Sequence, residues 1–389
     1  MSVLLDERTV PEGMVSVQVS EGKEAIQAVA DEWDRLVEGS FAAAFSRPAW
    51  HLAWLDTFTP KRLVLITARL ENRLAGVLPL VRIRTDARGL FFSLVAPAAP
   101  GITDYQPPIV DPATAAEVLP AMLDAALDCF GRRGVYWWPN VPADDPSLDL
   151  LRGYLTARHM TYVEERETAP RLRLPGETYS AAEQVWSSSH RIDVRRQRKR
   201  LAEQAPVSLW QPSTLAEAET VLAAFFQVHD RKWLAQGLPG RFQNASERRH
   251  FESVLRRLWG RGLHFSTLRC GSQDVSYHFG FLSGGWLQWY RPTYLPEFAG
   301  FSPSKVHLAL LVEEGYRAKW KGLDFLLGAE PYKLMWSNES AEVVSIHAGF
   351  HRWAPSYFWF TQGKPFVRKH LQLTYFHMLA WTQQRRRRP

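Results

Sequence analysis

The order of strand and helix signals between residues 15 and 138 returns between residues 180 and 327, and a chain that repeats its own element order is constrained to fold as two like halves. In the first pass, residues 15–19 alternate as a strand, and residues 23–37 place Ile26, Val29, Trp33 and Leu36 at helical spacing. Residues 62–70 and 74–84 form a predicted hairpin around Glu71-Asn72-Arg73. A β run over 89–95 leads into a Pro-rich loop, 96–108. A helix over about 114–130 then stops at Gly131 and Gly134, before a short strand at 135–138.

The second pass opens with a long predicted helix over about 180–204, followed by helices over about 214–235 and 246–259. A hairpin over 263–282 turns at Gly271-Ser272-Gln273-Asp274, and a strand at 286–291, a helix over about 303–320 and a strand at 323–327 complete it. Thr67 and Arg69 of the first hairpin correspond to Thr267 and Arg269 of the second, and Gly134 before one strand corresponds to Gly322 before the other. Strands interleaved with helices make the class mixed α/β, with two mixed sheets flanked by helices. A polar, Pro-containing segment at 165–175 is the expected junction. It gives halves at 1–168 and 169–380, with a basic, disordered tail at 381–389 that holds the four arginines 385–388.

At 389 residues and 46% hydrophobic, each half is large enough to bury a core. No run approaches the roughly 18 apolar residues of a membrane span, and residues 1–14 lack the apolar block of a signal peptide. The expected location is the cytoplasm, with peripheral membrane contact left open. Cys129 and Cys270 have no metal or redox spacing and read as reduced thiols. The net charge of +7 suits a phosphorylated ligand, such as coenzyme A, tRNA or a nucleotide sugar. Zinc-finger, helix-turn-helix, P-loop, Rossmann, G-x-S-x-G and H-E-x-x-H signatures are all missing from the sequence.

Two stretches carry candidate chemistry. Ser302 and Pro303 begin the helix after the 286–291 strand, so free backbone N–H groups there could receive a phosphate, with Lys305 adding charge. An ordinary capped helix would read the same way. Asp324 interrupts an apolar strand and must face something polar, with Lys333, Arg291 and backbone donors as candidate partners. Glu330, Tyr332 and Lys333 cluster just past that strand's end, where ligands of open α/β folds sit, although a Glu–Lys surface pair on a turn has the same spelling. The basic run Arg195-Arg196, Arg198-Lys199-Arg200 surrounds its helix instead of forming one stripe, and reads either as solvated or as phosphate-facing.

The stretch Asp324-Phe-Leu-Leu-Gly328-Ala-Glu330-Pro-Tyr332-Lys333-Leu-Met-Trp336 resembles the signature closing the Fem-like, cellulose-biosynthesis-type acetyltransferase domain of the GNAT superfamily. Upstream, Tyr294-x-Pro-Glu with Ser302-Pro303 resembles its Y-x-P-E and S-P-G elements. His229-Asp-Arg231-Lys-Trp233, with Gly237, Gly240 and Phe242, resembles its basic, Trp-ending helix and the loop after it. Phe45 to Trp50 and Gly76 to Leu80 extend the likeness into the first half. Ser304 stands where the family has glycine, and Ala329 where an acidic residue is frequent.

This resemblance implies a duplicated GNAT fold, an acyl-CoA donor with no tightly bound cofactor or metal, and a small-molecule, glycan or peptide amine as acceptor. It implies donor contacts at Ser302, Pro303, Ser304, Lys305, Tyr290 and Arg291, and acceptor contacts at His229, Arg231 and Trp233. Glu330 would then be the general base, Tyr332 the acid to the leaving thiolate, and Asp324 and Lys333 their companions, with an oxyanion contact from backbone N–H near 289–291. Alternatives are a Fem-type aminoacyl transfer from charged tRNA, or a non-catalytic partner in polysaccharide biosynthesis.

Overall fold

The computed structural model describes residues 4–7, 15–60, 62–87 and 90–350. The arginine tail and most of residues 1–14 lie outside these. The strands are β1 (Leu4–Glu7), β2 (Ser16–Glu21), β3 (Leu63–Leu70), β4 (Arg73–Ala87), β5 (Leu90–Pro97), β6 (Ile109–Val110), β7 (Val135–Pro142) and β8 (Thr161–Arg173) in the first half. They continue with β9 (Val207–Trp210), β10 (Leu263–Cys270), β11 (Gln273–Ser283), β12 (Trp286–Tyr294), β13 (Gly322–Asp324) and β14 (Glu339–Gly349). The helices are α1 (Lys23–Ala28), α2 (Ala30–Val37), α3 (Ala43–Ser46), α4 (Pro48–Leu55), α5 (Ala115–Phe130) and α6 (Ser147–Ala157), then α7 (Tyr179–Val185), α8 (Ser188–Ala202), α9 (Leu215–Ala235), α10 (Ala245–Leu258), α11 (Pro303–Arg317) and α12 (Pro331–Trp336).

All the described strands join one mixed sheet, where the sequence suggested two. Its order is β1-β2-β3-β4-β5-β7-β14-β8-β13-β12-β11-β10-β9, with β6 on β4. The two halves are alike along this path. In each, antiparallel strands, β1–β5 in one and β9–β12 in the other, end in a parallel pair, β5–β7 and β12–β13. The halves then exchange their last strands: β14 pairs with β7, and β8 pairs with β13. β8 and β14 also pair with each other in unbroken register from Arg171↔Glu339 to Thr161↔Gly349, and this closes the seam.

The repeat extends to an irregularity. The β3–β4 hairpin shifts register between Ala68 and Arg69, and the β10–β11 hairpin shifts between Leu268 and Arg269. One bulge kept at one place in both hairpins is a structural counterpart of the Thr67/Thr267 and Arg69/Arg269 correspondence.

On one sheet face, α1–α4 and α9–α10 share a single apolar core, so Trp50 of the first half packs edge-on against His250 of the second, 5.3 Å between ring centres. The other face is covered in two parts, by α5 and α6 over the first half and by α7, α8 and α11 over the second. Three sequence expectations change. The 165–175 segment is not a linker but the end of β8, hydrogen-bonded on both edges. The 180–204 helix is two helices, because Trp186 turns extended to bury its indole and Ser187 caps α8 by accepting from the His190 N–H at 3.2 Å. The 323–327 strand stops at Asp324. Cys129 and Cys270 are free thiols; Cys270 is buried and Cys129 half-buried.

Candidate active site

The β12–β13 pair opens almost as soon as it forms. Trp286, Leu287 and Gln288 lie beside Gly322, Leu323 and Asp324, and there β13 ends. The chain then turns away onto β8, where Phe325 and Gly328 N–H donate to the Pro170 and Thr168 carbonyls at 3.0 Å each. Leu326 takes a left-handed φ of 58° within this turn. β12 continues toward Tyr294 along β11 alone, and here it bulges: Trp289 and Tyr290 together stand opposite Gly280. Only glycine fits at Gly280, since a Cβ there would lie 2.2 Å from the Gln288 carbonyl oxygen. The bulge takes backbone groups out of the ladder at the point where the strands separate.

Asp324 closes the inner end of this opening. It is fully buried, accepts from the Arg171 guanidinium at 3.0 Å, from the Tyr105 hydroxyl at 2.9 Å and from the Leu326 N–H at 2.6 Å. Burial raises its pKa to about 6, against the pull of Arg171, the Leu326 N–H and the Tyr105 hydroxyl. Of the partners considered from sequence, the backbone donor is present. Lys333 and Arg291 are not its partners; the cation is Arg171, its register neighbour on β8. The Arg171 guanidinium also lies over the Phe41 ring at 4.2 Å.

The outer end holds the α12 residues. Glu330 is exposed at the helix N-cap and pairs with the buried Lys333 at 2.8 Å, and Lys333 donates to the Leu327 carbonyl as well. The Tyr332 phenol, partly exposed, has its pKa pushed up to about 12 by burial and by Glu330. The charge of Lys333 also acts on Asp104, from the loop the sequence showed only as Pro-rich. Its neighbours are pinned: Thr103 accepts from the Trp50 indole at 2.9 Å, Tyr105 holds Asp324, and the Ile102 carbonyl accepts from the Tyr290 hydroxyl at 2.9 Å. Burial raises the Asp104 pKa, with the charges of Arg291, Lys333 and Arg241 acting downward and Glu167 upward.

The other sequence candidates divide. Arg291 lies over the Tyr290 ring at 4.2 Å within this cluster, and Tyr290 serves as a strut to the first half. His229 is buried and neutral, its pKa lowered to about 3 by burial, and it accepts from the Trp233 indole at 3.1 Å. Arg231 points elsewhere, into a surface pair with Glu297. At the start of α11, Ser302 is left-handed (φ 48°) and does not cap through its side chain; its carbonyl accepts from Lys305 and Val306 N–H. Lys305 is held by Asp193 of α8 and is not free for a ligand. No acidic residue lies in the first turn of α11, and Arg200 of α8 donates to the Gly300 carbonyl at 3.0 Å beside it.

The equivalent place in the first half is built differently. Beyond the β5–β7 pair, the Ala98 N–H donates to the Pro79 carbonyl and the Gln106 N–H to the Asn140 carbonyl, so the 98–108 loop is tied to both β4 and β7. Just before α5, Asp111 accepts from the Ala113 N–H and pairs with Arg73, placing an acid where a phosphate would sit.

A parallel pair that splays beside a bulged strand, with a helix between its strands, defines an acyltransferase fold of the GNAT type. Residues 188–334 match the family model described as acetyltransferase (GNAT) domain. Over most of its length the fold is similar to the crystal structure of FemX, at TM-score 0.59 and 11% identity, covering 91% of this chain and 99% of that one. It is also similar to a conserved protein of unknown function from Bacteroides thetaiotaomicron, at TM-score 0.53 and 12% identity, covering 85% and 99%. No curated protein sequence matches the chain. Among the described residues, no cluster of side chains could hold a metal ion and no helix is long and apolar enough to cross a membrane.

Proposed function

We propose that the protein transfers an acyl group, acetyl in the simplest case, from coenzyme A to a primary amine in the opening between β12 and the chain leaving β13. The observation that carries this is the contrast between the two halves: after Asp324 the chain turns from β12 onto β8, whereas the loop after β5 is hydrogen-bonded to β4 and to β7. The donor's thioester lies against the bulge at Trp289–Tyr290, whose backbone N–H polarises the carbonyl, and its pyrophosphate lies toward the start of α11. The amine nitrogen attacks the thioester carbon, the C–S bond breaks, and the thiolate takes the proton of Tyr332, which a pKa of about 12 keeps protonated at neutral pH.

The sequence assigned proton removal from the ammonium to Glu330. Its exposure and its pairing with Lys333 make it the weaker base, and we assign the step to Asp104, whose raised pKa brings it closer to neutrality. The acceptor is a small molecule or a sugar or cell-envelope precursor, and the reaction belongs to the cytoplasm. The exposed cations Arg196, Lys199 and Arg200 along α8 favour a second reading, aminoacyl transfer from charged tRNA.

Thiol release from acetyl-CoA in the presence of an amine panel, run beside transfer from charged tRNA, tests these readings. Release of free CoA with at least one amine is expected. Transfer from tRNA alone would move the donor assignment to the second reading, and no transfer from either would leave a non-catalytic partner.

A further inference from the structure

We infer that the acceptor carries an anionic group, a carboxylate or a phosphate, beside its amine, and that Arg291 and Lys232 receive it. This rests on the reading that the opening takes an amine. Arginines in and around the site otherwise have carboxylates: Arg171 has Asp324, Arg241 has Glu247, Arg198 has Glu313 and Arg269 has Asp274. Arg291 has none within ion-pair distance among the described residues. Its Nε is shielded from solvent without an acceptor, and its contacts are the Tyr290 ring at 4.2 Å and hydroxyl at 3.5 Å.

Lys232 is similar. Its ammonium lies 4.6 Å above the Tyr294 ring, on the same strand three residues beyond Arg291, and 5.9 Å from Trp233. No carboxylate of the described residues pairs with it, and burial lowers its pKa. His229 and Lys232 lie one turn apart on α9, and Lys232 seats that turn on Tyr294 of β12, the strand that carries Arg291. His229 Nδ1 on that turn is likewise shielded and unbonded among the described residues.

Neither cation has an ion-pair partner among the described residues, and a shielded guanidinium N–H without an acceptor is disfavoured in the free protein. Their charge is satisfied once an anion binds, as arginine pairs with carboxylate and phosphate. Asp104, the carboxylate that Arg291 feels most strongly outside its own strand, then faces the amine. A substrate with both charges would span the seam, its ammonium on the first-half loop and its anion on the second half.

Binding to the protein without donor is measured for two matched pairs, O-phosphoethanolamine against ethanolamine and L-alanine against L-alaninamide. In at least one pair the anionic member should bind tenfold or more tightly, and Arg291→Met and Lys232→Met should each remove the difference. The pair that responds identifies phosphate or carboxylate. Arg291→Met should melt no lower than the wild type, because a merely structural arginine would be missed and an uncompensated one would not. Equal binding within both pairs, or a preference that survives Arg291→Met, overturns the inference. Acetyl-CoA titrated into the same proteins separates the two failures. Normal donor binding without anion preference sinks only this inference, and absent donor binding sinks the proposed function.

Discussion

Asp104 shows what a single position does in this site and why its type alone does not disclose it. In the sequence it is one polar residue in a Pro-rich loop, with no motif around it. Its proposed role follows because Thr103 and Tyr105 on either side are tied to Trp50 and Asp324, so the carboxyl between them is fixed where the charges of Arg291 and Lys333 act on it. Glu330, Tyr332 and Lys333 were legible because they are neighbours in the chain and fall at a strand's end. Arg171 was not, since its partner Asp324 lies across the seam. Asp104→Asn should keep the fold and donor affinity and lower turnover about 10²-fold, the scale of a lost general base. A base acts deprotonated, so the wild-type rate should fall as pH drops through the raised Asp104 pKa, above the ordinary range near 4. Asp104→Asn should abolish that limb, and Glu330→Gln should keep it. Rates and pH profiles of the two variants check this, and the reverse pattern would return the role to Glu330.

At the scale of elements, periodicity located most of the strands and helices, and it failed where tertiary contacts decide. The 180–204 stretch has uninterrupted helical composition, yet it breaks where the Trp186 indole donates to the Trp336 carbonyl at 3.1 Å and packs on that ring. β8 reads as a polar linker because the residues of its first part are all exposed or half-buried, and its partners come from the far ends of both halves. The bulge in β12 leaves only a glycine, Gly280, as its trace. Gly280→Ala would set a methyl group against the fixed Gln288 carbonyl, and overpacking of this kind costs about 1–3 kcal/mol. A chemical denaturation midpoint should show the loss, with acyl transfer impaired beyond it because the bulge must shift.

At the scale of the molecule, strand exchange makes two like halves into one body, and the Asp324–Arg171–Tyr105 group is its buried link. Tyr105 comes from the first-half loop, Arg171 from the exchanged strand and Asp324 from the second half. Asp324→Ala leaves a buried guanidinium unpaired and should cost about 3–5 kcal/mol. The pH dependence has a definite sign. The folded-state pKa of about 6 lies above that of the unfolded chain, so the native state holds the extra proton between about pH 4 and 6. The contribution of this carboxyl is therefore fully present below about pH 4 and declines as pH rises through 6. Stability measured across that range should lose this slope in Asp324→Asn.

The duplication was legible as a repeated element order, but the proposed functional difference between the halves was not, because it rests on a loop tied to β4 and β7 and on Asp111 at one helix start. That asymmetry is the centre of the account, and calorimetric titration of acetyl-CoA tests it most directly. The expected result is one site per chain, preserved or tightened in Ser304→Gly and lost in Ser304→Phe, where a ring would fill the space at the start of α11. Two sites per chain, or unchanged affinity in Ser304→Phe, would contradict it.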